Sequence, residues 1–191
     1  MEASIVQHLK ETAAALDAAG KDAALVKNVS AAATLISECF AKGGKILIAG
    51  NGGSAADAEH FAAEFVGRFM KERKARPALA LTSPSATITA WSNDHTFEDV
   101  FARQIEAFGK PEDIFIGIST SGSSKNIVRA VAKAKVLALS SITLLGNGGG
   151  ALASQANITI ALADTHTAHI QEVQKALIHA ICMEVERTFT D

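Results

Sequence analysis

The amino-acid sequence predicts an α/β protein: a three-layer α/β/α sandwich built on a five-stranded parallel sheet, with a helical hairpin added at the N-terminus. The first observation is a series of short apolar runs of strand length, separated by stretches of helical periodicity. The runs are 45–50 (KILIAG), 78–82 (ALALT), 114–119 (IFIGIS), 141–146 (SITLLG) and 158–162 (ITIAL). Such continuous apolar strands are typical of a parallel sheet that is covered on both faces. The second observation is helical periodicity before the first run and after the last.

The helical segments at the two ends follow from apolar residues at helical spacing. The first segment, 3–19, has its apolar residues at Ile5, Leu9, Ala13 and Leu16. A second helix is predicted at 22–42, where Gly43 and Gly44 end the pattern as a C-cap would. A last helix is predicted at about 168–188. Since no linker interrupts the chain, we expect one domain over 1–191, with helices in 1–43 and the α/β core in 44–191.

Composition narrows the class of protein. The 191 residues carry 18 basic and 20 acidic side chains, a formal net charge of −2, so no nucleic-acid partner is expected. The two cysteines, Cys39 and Cys182, lack metal-site spacing and are expected to be free buried thiols in a reducing compartment. The sequence contains no uninterrupted apolar run of about 18 residues, so no membrane span is expected. These features favour a cytoplasmic protein.

Three loops follow predicted strands: GNGGS (50–54), STSGSS (119–124) and GNGGG (146–150). In open parallel sheets, ligands bind at the carboxyl ends of the strands, so these loops are the candidate site. The first loop, with Ala55, fits a dinucleotide fingerprint. However, the next strand ends ALALTSPS and lacks the acidic residue that would bind a ribose, which weakens a nucleotide-binding interpretation.

The second loop is the better candidate for a phosphate site. Hydroxyls and backbone N–H groups in a turn before a helix suit a phosphate monoester. The alternative is an ordinary serine-rich turn in which Ser123 or Ser124 is the N-cap of the helix. Placement at the centre of a parallel sheet favours the phosphate site.

A helix is predicted at 54–69, and its two faces differ. The apolar face contains Phe61, Ala62, Phe65, Val66 and Phe69. Asp57, His60, Glu64 and Arg68 share the other face, where His60 and Glu64 are an i, i+4 pair. This face is either solvated, with Glu64 paired to Arg68, or part of an acid–base or metal site beside the glycine loop.

The last helix has a similar division. Its apolar stripe consists of Ile170, Val173, Leu177, Ile181 and Val185. Gln171, Lys175, His179 and Glu186 lie roughly on the opposite side. A single histidine on a polar face is usually only solvated, so periodicity alone assigns no role to His179.

Four stretches together resemble the phosphoheptose isomerases, which are sedoheptulose 7-phosphate isomerases of the sugar isomerase (SIS) domain superfamily. They are GNGGSAADAEHFAAEFVGRF, SND, GISTSGSS and HIQEVQKALIHAIC, and they span almost the whole chain. The resemblance implies a flavodoxin-like sheet and conversion of sedoheptulose 7-phosphate to D-glycero-D-manno-heptose 7-phosphate through an enediol. That reaction would be the first step of ADP- or GDP-heptose precursor biosynthesis, which supplies lipopolysaccharide.

The resemblance also implies roles for individual residues. Glu64 and His179 would be the proton-transfer pair, with either one acting first as the base. Substrate would be bound by Asn51, Gly52, Gly53, Glu64, Asn93, Asp94, Ser119, Thr120, Ser121, Ser124 and Gln171. Zinc, one ion per subunit, would be bound by His60, Glu64, Gln171 and His179.

The proposed zinc ligands raise a question of geometry. Gln171 and His179 are eight residues apart, a rise of about 12 Å on one helix. Either their side chains converge on a point between them or they come from different subunits. The family implies a homotetramer with sites at subunit interfaces, with 1–43 used in assembly, so both arrangements are possible.

The sequence departs from the family pattern at Ser92, His169 and Gln174, where relatives often have a glycine, a basic residue and a histidine. His8, His95 and His166 are interpreted as surface or structural residues. The alternative function is a non-catalytic SIS-domain protein related to those that bind the replication initiator. Retention of both Glu64 and His179 favours the enzyme.

Overall fold

A computed structural model describes residues 1–189 of the chain. Within that range the helices are α1 (Glu2–Lys21), α2 (Ala23–Ala41), α3 (Gly53–Val66), α4 (Ser85–Asp94), α5 (Val100–Phe108), α6 (Lys125–Val136) and α7 (Thr167–Arg187). The strands are β1 (Ile46–Ala49), β2 (Ala78–Ala80), β3 (Ile114–Ser119), β4 (Ser140–Leu145) and β5 (Ile158–Ala161). Short 3₁₀ segments occupy Phe97–Asp99 and Asn147–Leu152.

The strands form one parallel sheet in the order β2-β1-β3-β4-β5. This is the flavodoxin-like order, in which the chain direction across the sheet reverses between β1 and β3. β3 lies at the centre and every one of its residues is buried. All five predicted strands are therefore confirmed, and so is the predicted fold class.

Both faces of the sheet are covered, as the continuous apolar strands require. Ile46 and Ile48 of β1 point into a cluster formed with α2, α3 and α7. Leu47 and Ala49, the alternate residues, point into a second cluster formed with α5 and α6. Since side chains alternate along a strand, one four-residue strand contributes to both cores.

The two N-terminal helices are joined through Asp22, whose carboxylate accepts hydrogen bonds of 3.0 Å from the N–H groups of Ala24 and Leu25 and so caps α2. Both helices pack more extensively on α7 than on each other. None of the α1 residues is buried, and Ile5 and Leu9 are more than half exposed. The apolar stripe of α1 is therefore not covered within the described chain.

α2 is also the one described helix that is long and apolar enough to cross a membrane by length and composition. The search for an uninterrupted apolar run predicted no membrane span. Mean hydropathy over the helix gives a different result, because its average stays high although Lys27 and Glu38 interrupt the apolar residues. Seven of its residues are buried in the core beside the sheet, among them Ile36 and Phe40. A core helix passes the same composition test, so this observation is weak evidence for a membrane span.

Candidate functional site

The site lies where β1 and β3 end, at the reversal point of the sheet. A pair of amides joins the two sides: Asn51 Nδ2 donates to Asn126 Oδ1 at 2.9 Å, and Asn126 Nδ2 donates to Asn51 Oδ1 at 2.8 Å. Asn51 belongs to the loop after β1, and Asn126 lies in the first turn of α6, which follows the β3 loop. The amide pair joins the loop after β1 to the first turn of α6, which directly follows the predicted phosphate loop.

The β3 loop gathers hydroxyl groups at the N-terminus of α6. Ser119 Oγ lies 2.9 Å from Ser124 Oγ and 3.4 Å from Ser121 Oγ. Gly122 turns the chain with φ of 64°, in the left-handed region that favours glycine. Ser124 is the N-cap residue, but its hydroxyl pairs with Ser119 and does not cap an N–H group of α6. The hydroxyls and the helix N-terminus together suit an anion.

α3 places Glu64 and His60 against His179 of α7. His60 Nε2 lies 2.9 Å from His179 Nε2 and 3.3 Å from Glu64 Oε1. All three side chains are partly buried. The polar faces of the two helices therefore meet, and a carboxylate and two imidazoles converge within one small volume.

This cluster can hold a metal ion. One ligand atom from each of His60, Glu64 and His179 lies within 4.8 Å of the other two. Tetrahedral zinc with bonds of about 2.0–2.1 Å holds its ligand atoms about 3.3–3.4 Å apart. The 3.3 Å distance between His60 and Glu64 matches this spacing, while the 2.9 Å between the histidine nitrogens is shorter. Nitrogen and carboxylate donors in this number suit zinc.

Gln171 lies elsewhere in the site. Its side chain covers Gly53: a Cβ atom at Gly53 would lie 3.0 Å from Gln171 Cδ and would overlap Nε2. Gly53 is seven residues before His60, a rise of about 10 Å on α3. Within one chain, the Gln171 side chain therefore lies against the loop after β1 and not beside that of His179.

Asp57 and Lys175 form a further contact between α3 and α7, beside the histidine pair. Asp57 Oδ1 lies 3.7 Å from Lys175 Nζ. Burial raises the pKa of the Asp57 carboxyl above its ordinary value, and the positive charge of Lys175 offsets part of that rise. The prediction of a polar face containing Asp57 is correct, but α7 covers the carboxylate, which is only 5% exposed.

The remaining predicted substrate residues lie at the C-terminal end of α4. Asn93 Nδ2 donates to Asp94 Oδ1 at 2.9 Å, and both residues are exposed. The contacts among residues 1–189 do not join them to the other predicted site residues. Thr120, which follows β3 directly, is partly buried beside the serine hydroxyls.

Arg73, which the sequence analysis did not single out, supports the end of α3 together with Glu186 of α7. Arg73 donates hydrogen bonds to the carbonyls of Glu64 at 2.6 Å and Phe65 at 2.9 Å, and its Nε lies 3.4 Å from Glu186 Oε1. Burial opposes ionisation of Glu186, but N–H groups of Met70 and Lys71 donate to the carboxylate, and its pKa lies below the ordinary value. The sequence feature that could have identified Arg73 is its position as a basic residue shortly after the end of the helix predicted at 54–69.

Two of the three positions that depart from the family pattern, Gln174 and His169, have structural contacts. Gln174 is buried and donates to the carbonyl of Leu144 at 3.0 Å. His169 is buried between Asp164 and Glu11, with the ring of His8 stacked on it and the ring of His166 tilted against it. Separately, the ring of His95 packs on Trp91 at 3.9 Å between centroids. The interpretation of His8, His95 and His166 as surface or structural residues agrees with these contacts.

Hydroxyls at a helix N-terminus, a glycine loop and a carboxylate–imidazole cluster at one edge of a parallel sheet suit an enzyme that acts on a sugar phosphate. The SIS domain model matches residues 7–146. A phosphoheptose isomerase of Crocosphaera subtropica is 53% identical over 152 residues, which is 80% of this chain and 78% of the relative. Another, from Syntrophotalea carbinolica, is 42% identical over 96% of this chain and 93% of the relative.

Solved structures agree with the sequence comparisons. The phosphoheptose isomerase of Neisseria gonorrhoeae superimposes with a TM-score of 0.92 at 38% identity, covering 98% of this chain and 99% of that one. That of Francisella tularensis also has a TM-score of 0.92, at 34% identity and 97% coverage of both chains. The chain belongs to the phosphoheptose isomerase family of SIS-domain proteins. The relatives give no support to the alternative of a non-catalytic binding protein.

Proposed function

We propose that the protein interconverts D-sedoheptulose 7-phosphate and D-glycero-D-manno-heptose 7-phosphate, the first step toward a nucleotide-activated heptose. The observation that carries the proposal is the meeting of Glu64 on α3 with His179 on α7, both within 4.8 Å of His60. The serine-rich loop at the same edge of the sheet supplies the site for the phosphate. Family membership supports the choice of a heptose phosphate as substrate.

Substrate binding is assigned to the loops at the strand ends. The phosphate accepts hydrogen bonds from Ser119, Thr120, Ser121 and Ser124, and it lies on the axis of α6. The sugar hydroxyls face the second group of residues. That group consists of Asn51, Gly52, Gly53, Asn93, Asp94 and Gln171. The hydrogen bonds between Asn51 and Asn126 hold these two groups of residues in fixed positions relative to each other.

Chemistry is assigned to Glu64 and His179. Starting from the ketose, the Glu64 carboxylate takes a proton from C1 while His179 gives a proton to the carbonyl oxygen on C2, which forms the enediol. His179 then takes the proton from the hydroxyl on C1, and Glu64 returns its proton to C2. The aldehyde forms at C1, both residues recover their starting states, and no external oxidant or reductant is needed.

A zinc ion fits the cluster of His60, Glu64 and His179 by donor chemistry. Bound there, it would act as a Lewis acid or as a structural brace between α3 and α7. Gln171 completes the set only if its side chain leaves Gly53 or if it comes from a neighbouring subunit. Zinc titration of metal-free protein should raise the melting temperature, and His60→Ala should abolish this rise. An equal rise in the melting temperature of the wild type and of His60→Ala would refute the proposed zinc site.

We also assign homotetramer assembly to the N-terminal helices, because the stripe of Ile5, Leu9 and Leu16 is between 39% and 61% exposed. A tetramer of the 19.9 kDa chain has a mass of about 80 kDa, four times that value. Light scattering should find this mass and a smaller one for Leu9→Glu. A wild-type mass of about 20 kDa would refute the assembly.

The direct test of function is turnover of sedoheptulose 7-phosphate, followed by proton NMR in D₂O. We expect the wild type to form the aldose, while Glu64→Gln and His179→Gln stay folded and lose turnover. His179→Gln should still exchange deuterium into C1 slowly, whereas Glu64→Gln should not, because Glu64 acts at carbon. Wild-type turnover in both variants would refute the proposal. Capture of a replication initiator by a protein without isomerase activity would support the alternative function.

A further inference from the structure

The third strand-end loop has no assigned part in the reaction, yet it contacts the phosphate loop closely. The N–H of Gly146 donates to Ser119 O at 3.0 Å, and the N–H of Leu152 donates to Gly122 O at 3.0 Å. Between them, the N–H of Ala151 donates to Ser123 Oγ at 3.3 Å. Three backbone N–H groups of the third loop therefore donate to Ser119, Gly122 and Ser123 of the phosphate loop.

The approach of the two loops is close enough to require glycine on both sides. Gly150 has φ of 50° and ψ of −138°, a conformation that residues with a side chain rarely adopt. A Cβ atom there would lie 2.5 Å from Ser123 Oγ and 2.8 Å from Ser121 O. On the opposite side, a Cβ atom at Gly122 would overlap the carbonyl of Gly149.

The third loop is itself anchored to the segment that follows β5. The N–H of Asn147 donates to Asp164 O at 2.9 Å, and the N–H of Gly148 donates to Leu162 O at 2.9 Å. The third loop is thus held by the segment after β5 on one side and contacts the phosphate loop on the other. Such bracing lowers the conformational freedom that the serine hydroxyls lose when an anion binds.

We propose that Gly146 and Gly149–Leu152 form a positioning element for the phosphate site, here named the glycine clamp. The clamp fixes the backbone from Ser119 to Ser123, so that the hydroxyls converge before the phosphate arrives. It acts on phosphate affinity and leaves the proton transfer between Glu64 and His179 untouched. This inference rests on the proposed function, because it assumes that the serine-rich loop receives the phosphate of the substrate.

The chain offers a matched pair of variants for the test. Gly150→Ala places a methyl group against Ser121 and Ser123. Gly148→Ala also adds a methyl group at a positive φ of 66°, but its ψ of 11° lies in the left-handed region, where strain is smaller, and nothing lies within 4 Å of its new Cβ atom. Gly148→Ala therefore controls for a methyl group at a positive φ in the same loop, and Ser123→Ala, which adds no atom, tests the contact without backbone strain.

Two readings are taken on each purified protein: the Kd for inorganic phosphate by calorimetry, and KM and kcat for sedoheptulose 7-phosphate. Loss of one charge-assisted hydrogen bond weakens binding about tenfold or more. We expect Gly150→Ala to raise both Kd and KM by at least about tenfold and to change kcat by less than about threefold. Gly148→Ala should match the wild type in all three.

Equal phosphate affinity in the two alanine variants would overturn the clamp, as would a loss confined to kcat. If Gly150→Ala does not fold, Ser123→Ala decides the matter, because it removes the acceptor for Ala151 without adding an atom. We expect it to weaken phosphate binding by about threefold to tenfold, and an unchanged Kd would overturn the inference. A wild type that binds phosphate and weakens in Gly150→Ala, yet never isomerises the sugar, supports the clamp and refutes the proposed function.

Discussion

Arg73→Leu is the perturbation with the largest expected effect on stability. The Arg73 side chain is 2% exposed and lies 3.4 Å from Glu186, whose side chain is 5% exposed. The guanidinium also donates to the carbonyls of Glu64, Phe65, Gly67 and Lys74. Leucine removes these donors and leaves the carboxylate of Glu186 buried without its cation.

The size of the effect follows from that burial. Removing one partner of a buried ion pair costs about 3–5 kcal/mol in the free energy of unfolding. For a domain of this length each kcal/mol lowers the melting temperature by about 2–4 °C. We therefore expect Arg73→Leu to melt roughly 6–20 °C below the wild type, measured by calorimetry and by urea unfolding.

Acid conditions give an independent check on the same residue pair. The pKa of Glu186 is lowered in the folded state, so its contribution to stability is present above its unfolded pKa and is lost as pH falls through the folded pKa. The difference between the wild type and Arg73→Leu should accordingly shrink below about pH 4.

The control is Arg187→Leu, because Arg187 is 61% exposed and pairs with the exposed Glu184. Loss of that surface pair should change the free energy of unfolding by less than about 1 kcal/mol. A loss of less than about 1 kcal/mol in Arg73→Leu as well would refute the view that Arg73 braces α3 against α7.

Three further predictions concern buried groups of the site and of the core. Burial raises the folded pKa of Asp57, so the contribution of Asp57 to stability should fall as pH rises from the ordinary aspartate pKa through the raised one. The difference in stability between the wild type and Asp57→Asn, from urea titrations, should change in this direction over that range. Burial raises the pKa of Cys39 to about 11 and also raises that of Cys182. Both thiols should therefore react slowly with thiol reagents in the native protein at pH 8 and rapidly once the protein is unfolded. Fast labelling of the native protein would contradict the structure. Asn126→Ala frees the amide of Asn51, and steady-state kinetics should show KM rising about threefold to tenfold with kcat little changed.

Much of the fold could be predicted because each strand is marked by its own continuous run of apolar residues. A strand such as β3 is apolar along its whole length, and only a sheet with two covered faces accounts for that pattern. Helix ends depend more on contacts made after folding. The helix expected at 54–69 ends at Val66, since Gly67 leaves helical geometry, and Phe69 instead packs 5.8 Å from the ring of His179.

The candidate site was predictable where one helix or one loop contains the signal. His60 and Glu64 lie an i, i+4 step apart, and the structure brings His179 to them as the family resemblance implied. Periodicity shows which residues share a face but not what covers that face. For this reason the burial of Asp57 by α7 was not foreseen.

Long-range partners account for the rest of what the sequence reasoning missed. Arg73 lies in KERKAR, a stretch that has the composition of a solvated basic segment, and its partner Glu186 is far away in the chain. The sequence identifies GNGGG (146–150) as a strand-end loop, but the contacts of the glycine clamp with the phosphate loop depend on the pairing of β3 with β4.

The central claim is that Glu64 and His179 act together in one proton transfer, and a double-mutant cycle on kcat tests it most directly. Each of Glu64→Gln and His179→Gln should lower kcat by about 100- to 10,000-fold, since general acid–base groups contribute on this scale. The double variant should lose no more than a few-fold beyond the worse single variant, because residues that act as a unit are not additive. Wild-type turnover in either single variant, or losses that multiply in the double variant, would contradict the account.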